Sequence, residues 1–84
     1  MPYITQKRRR LINRGHAKPE SAGELNYAIT RMILDYLERQ ETSYQTMNDI
    51  VGALDNAKDE FRRRIQHPYE DHKKEENGDV YPKE

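Results

Sequence analysis

Ser21–Gln66 reads SAGELNYAITRMILDYLERQETSYQTMNDIVGALDNAKDEFRRRIQ, and its two apolar periodicities decide the fold. The opening SAGE is a capping box. The Ser21 hydroxyl is placed to accept from the Glu24 N–H, and the Glu24 carboxylate to reach back to the Ser21 N–H. Leu25, Ala28, Ile29, Met32, Ile33, Tyr36 and Leu37 then recur at three- and four-residue spacing, with polar side chains mostly opposite. The spacing predicts a helix from Ser21 to about Gln40. A second cap, Ser43 or Thr42, precedes Tyr44, Met47, Val51, Leu54, Phe61 and Ile65, a similar stripe interrupted by Lys58. This predicts a second helix from Ser43 to about Gln66. Arg62, Arg63 and Arg64 complement its C-terminal dipole, and Pro68 is expected to stop or bend it. Only Glu41 and Thr42 separate the two helices, so an antiparallel hairpin is expected.

Outward from the hairpin the signals weaken. In residues 1–20, TQKRRRLIN fits either a short helix capped by Thr5 and ended by Gly15 or an extended arm beginning at Tyr3 and Ile4. In residues 67–84, ENGDVY carries an Asn-Gly-Asp turn signal followed by Val80 and Tyr81, an apolar pair able to dock on the hairpin. That last segment is read as extended. The expected fold class is therefore all-α, one small helical domain over residues 1–84.

Composition raises the question of what such a hairpin packs against. A chain of 84 residues buries only about 60–65% of the surface its unfolded form exposes. Leu, Ile, Val and Phe together number fourteen, few for a self-sufficient core. Disorder is argued against by the periodic placement of these residues and by a formal net charge of zero. A second copy of the chain is the expected source of further core, so a homo-oligomer is expected. The zero balance conceals a polarised distribution: residues 1–18 carry +6, residues 19–66 carry −3 and residues 67–84 carry −3. Basic start and acidic end attract one another, within a chain or between chains. There is no cysteine, so neither a disulfide framework nor a zinc ribbon is available. No apolar run approaches the roughly 18 residues of a membrane span, and MPYITQKRRR has no apolar block followed by a cleavage site, so no secretory signal is expected. A cytoplasmic protein without a membrane partner is expected.

The blocks MPYI, GELNYAIT, SYQTMNDIVGAL, AKDEFRRR and PYEDHKKEENGDVY together resemble a family of short uncharacterised proteins of tailed phages and prophages. The resemblance covers most of the chain. It implies a small accessory protein made inside a host bacterium, with no catalytic residues to carry over. It also implies that the PYED…ENGDVY block is ordered. Between Lys7 and Ser21 this chain is shorter and more basic than the family pattern.

Residue types limit the chemistry. His67 and His72 stand five apart, not at the four-residue spacing that aims two imidazoles at one ion from a helix, so no metal and no cofactor is expected. No Cys is present, no Ser sits in a nucleophile motif, and nothing suggests a deep pocket to separate carboxylate pKa values, so an enzyme is not expected. Arg8, Arg9 and Arg10 beside Tyr3 suit phosphates and a stacked ring. The start of the second helix, with Tyr44 and Asn48, offers free N–H groups and polar edges. Lys58, inside the stripe, either snorkels past the core or meets an acid or an anion at a subunit interface. With Arg62, these are the candidate ligand-binding positions. The expected function is non-enzymatic binding of a small anionic, nucleotide-type signal of host defence between protomers. Alternatives are an inhibitor or adaptor docking on a host protein, or nucleic-acid binding through the basic arm. Asp49, Asp55, Asp59 and Glu60 on the second helix disfavour the last.

Overall fold

A computed structural model describes residues 3–82, and over them the chain is helical with no strand. Segments of the sequence reading that include Met1, Pro2, Lys83 and Glu84 extend to that degree outside the described residues.

The short N-terminal helix forms, as α1, Gln6–Asn13. Thr5 caps it by accepting from the Arg8 N–H at 3.3 Å. Gly15, at φ +73°, ends it in a Schellman arrangement: His16 N–H donates to Leu11 O at 2.8 Å and Gly15 N–H to Ile12 O at 3.0 Å. A left-handed φ at that point is what makes glycine the fitting residue.

The helix α2, Ala22–Arg39, has the bounds its stripe predicts, and Ser21 Oγ accepts from Glu24 N–H at 3.1 Å. The capping box is only half as expected, because the Glu24 carboxylate accepts instead from the Glu20 N–H at 3.1 Å and from Arg8. The face of α2 that meets α1 carries Glu24 and Tyr27, beside the apolar stripe and not on it. Leu25, Ile29, Met32 and Tyr36 of the stripe stay exposed, Met32 by 73%.

The helix α3, Tyr44–Phe61, starts where Ser43 Oγ accepts from Thr46 N–H at 3.2 Å. Thr46 Oγ1 in turn donates to Glu41 O at 2.7 Å, which closes the entry turn. Thr46 is the one buried residue among those described, and no apolar side chain among them is buried.

The C-terminal segment corrects the sequence reading. Residues 67–77 are not extended: α3 passes through a π-helical turn, Arg62–Gln66, directly into α4, His67–Asn77. In that turn the His67 N–H donates to Arg62 O, five residues back. Pro68 lacks an N–H, and in an α-helix its ring collides with the carbonyl four residues earlier, here that of Arg64. The wider π turn makes room, so the proline is absorbed where a stop was expected. Gly78, at φ +86°, ends α4 with its N–H on Lys74 O at 2.8 Å. Asp79 Oδ1 accepts from Tyr81 N–H at 3.0 Å, the turn that Asn-Gly-Asp announces, while Val80 remains 93% exposed and Tyr81 78%.

The chain divides into two compact units, Met1–Met47 and Asn48–Glu84. In the first, α1 packs on α2. The second is the remainder of α3, the π turn, α4 and the Gly78 turn.

Candidate functional site

The candidate cations fall into two groups that differ in what the fold has already given them. In the first unit, Arg8 grips Glu24 through two bonds, Nε to Oε2 at 2.8 Å and a terminal nitrogen to Oε1 at 2.6 Å. This two-pronged geometry is the strong form of an ion pair. The Glu24 side chain is only 13% exposed and that of Arg8 26%. The Arg8 hydrogen bond holds the Glu24 carboxyl below the usual carboxylate range, partial burial opposing, and the same bond raises the Arg8 pKa. Glu20 adds a weaker contact to Arg8 at 3.7 Å.

Arg9 is likewise engaged. Its Nε donates to Ile4 O at 3.0 Å and its guanidinium lies 5.9 Å from the Tyr27 ring centroid, within cation–π range. Tyr27 OH donates to Asn13 Oδ1 at 2.8 Å, tying the end of α1 to α2. Arg8 and Arg9 thus fasten α1, whereas Lys7 and Arg10 have no carboxylate within ion-pair distance among the described residues. Tyr3 is 79% exposed and Tyr44 87%.

The role of Tyr27 escapes the sequence reading. It stands three residues after Glu24, on the same face, a spacing that places a second anchor for α1 beside the carboxylate.

In the second unit the arginine triplet of the π turn is unequal. Glu60 pairs with Arg63 and, at 3.7 Å, with Arg64. Arg62 and Lys58 have no such partner among the described residues. They are four residues apart, so they share one helix face. Arg62 lies in an open groove with Asn56, Asp59, Glu60, Arg63 and His67. Asn48 is fourteen residues before Arg62, about 21 Å along a helix, too far to touch the same small ligand within one chain. A second shallow cleft, between α4 and the Gly78 turn, is bordered by Lys74, Asn77 and Tyr81. Lys74 there faces Asp71 at 3.7 Å and Asp79 at 3.9 Å. Its cations are therefore balanced locally.

Among the described residues no group of three or more His, Cys, Asp or Glu side chains is placed to hold a metal ion. No helix among them is long and apolar enough to cross a membrane.

These features define a small all-helical protein with many of its large apolar side chains exposed and, among the described residues, several cations without an ion-pair partner. The chain belongs to the family described as a domain of unknown function (DUF6899), whose model matches residues 1–80. None of the curated proteins and none of the solved structures compared with the chain matches it.

Proposed function

We propose that the protein is a non-enzymatic binder of a small anionic ligand at a site formed between copies of the chain, each copy contributing a helical hairpin. The observation that carries this reading is Arg62, a cation in an open groove without an ion-pair partner among the described residues, while its two neighbours share Glu60. A charge without a partner is the one a ligand reaches at least cost, because no existing ion pair has to break. Arg10 in the first unit is uncommitted in the same sense. Arg8 and Arg9, in contrast, contribute by holding α1 in place. Asn48 stands too far from Arg62 along the helix to share a ligand with it, which favours assembly of the site from two copies. The phage-type resemblance makes a nucleotide-type signal of host defence the first ligand class to try, in the host cytoplasm.

The test is native mass spectrometry of purified protein followed by thermal melting with a panel of mono- and dinucleotides. A retained mass, or a shift equivalent to about 2.7 kcal/mol at a hundredfold excess over Kd, is expected. Arg62→Gln is expected to lose about tenfold or more in affinity, the loss of one charge-assisted hydrogen bond, with helix content unchanged. No bound mass and no shift across the panel sinks the reading. The uncovered apolar faces also favour docking on another protein. Recovery of a defined hetero-complex in the mass spectrum, without small ligand, would select that second reading.

A further inference from the structure

The second unit carries an exposed apolar row along its helix. Val51, Leu54, Phe61 and Ile65 are exposed by 58%, 40%, 59% and 59%, and with Lys58 they follow the alternating three- and four-residue spacing of a helix-pairing seam. An isolated helix of this kind is marginal in water, so the row needs a cover. The row from Val51 to Ile65 runs about 21 Å, and a second copy of the same helix presents an apolar row of that same length.

Charge selects the orientation. From Gln45 to Asn56 the helix bears Asp49 and Asp55 and no base, a balance of −2. From Ala57 to Gln66 it bears Lys58, Arg62, Arg63 and Arg64 against Asp59 and Glu60, a balance of +2. Parallel copies in register set like against like along both halves, while antiparallel copies set −2 against +2. Lys58 and Asp55 have no ion-pair partner among the described residues, although they are three apart on one helix.

We propose that α3 and the π turn pair antiparallel with those of a second copy, Val51 against Phe61 and Leu54 against Lys58 of the second copy, the Lys58 ammonium meeting Asp55 of that copy. The break in the stripe is then a register key: a lysine at a seam position is accommodated in one alignment only. The same alignment sets Asn48 level with Arg64 of the second copy, two residues or about 3 Å along the axis from Arg62 of that copy, so the anion site is formed twice per pair. That last consequence rests on the ligand reading above; the pairing itself does not.

The chain has no cysteine, so single-cysteine variants report the alignment directly. In the antiparallel order Val51 lies opposite Phe61, whereas the two copies of Val51 are about 15 Å apart, and so are the two of Phe61. A disulfide needs Cα atoms within about 7 Å. Mixing Val51→Cys with Phe61→Cys under mild oxidation is expected to give the mixed disulfide in at least about tenfold excess over either like-with-like product. Like-with-like disulfides in excess overturn the orientation. A monomer mass for the unmodified, helical protein overturns the pairing. Asp55→Lys and Lys58→Asp are each expected to weaken association, and the double exchange to restore it; single variants that associate like the parent overturn the register key. Mixed disulfides with no anion bound in the melting panel leave this inference standing and sink the ligand reading alone.

Discussion

Glu24 does three things with one carboxylate: it accepts from Arg8, accepts from the Glu20 N–H and carries the N-terminal charge of α2. Its folded pKa lies below its unfolded value near 4.3, so the unfolded chain binds the extra proton in the window between them. The stabilisation from this pair is therefore complete above about pH 4.3 and is lost as pH falls through the depressed folded value. An acid titration followed by amide exchange in α1 is expected to show α1 opening as the pH falls below the usual carboxylate range. Glu24→Gln is expected to leave α1 loosened at every pH and to flatten that transition. Ser43→Ala removes the acceptor of the Thr46 N–H and is expected to cost about 1 kcal/mol in urea unfolding. Gly78→Ala has open space around the new methyl, yet its φ of +86° and ψ of 152° form a conformation close to glycine-only. The expected cost is about 1–3 kcal/mol of strain, read as early fraying of the end of α4 in amide exchange.

At the scale of elements, the join between α3 and α4 carries a proline inside a continuous run of helix. A proline within a helix costs about 3 kcal/mol, and the π turn of Arg62–Gln66 lowers that cost by moving the carbonyls away from the ring. Pro68→Ala supplies the missing N–H and removes the ring. The expected result is conversion of the turn to ordinary α-helix, with slower amide exchange through residues 62–67 and an otherwise similar circular dichroism spectrum. Unchanged exchange there means that something other than the proline maintains the wide turn. The cap residues Thr5, Ser21 and Ser43 were predictable because each acts on an amide three residues away. Passage of the helix through Pro68 was not, because it depends on the helix continuing cooperatively on both sides of the break.

At the scale of the whole molecule, no apolar side chain among the described residues is buried, and the proposed pairing is the source of hydrophobic stabilisation that this leaves to be tested. The melting temperature is expected to rise with protein concentration, and Leu54→Asp, which sets a charge in the proposed seam, is expected to lower it and to remove that dependence. A melting temperature independent of concentration in the parent protein contradicts this. Arg62 is one of four cations in its half of the proposed seam, so Arg62→Gln is expected to weaken the concentration dependence only slightly while losing anion binding.

The sequence by itself determined where α2 lies and where α3 begins, because stripes of three- and four-residue spacing and hydroxyl caps act within a turn or two of chain; α1 was left open between helix and arm, and α4 was read as extended. Tertiary structure decided which charges are available for anything else. Arg8, Arg9 and Arg10 look alike in a row, but Glu24 and Tyr27, sixteen and eighteen residues away from Arg8 and Arg9, engage the first two and leave the third. In the same way Glu60 separates Arg62 from Arg63 and Arg64. A side chain's charge is written in its residue type, whereas its partner depends on which surfaces meet, and that is a property of the folded chain.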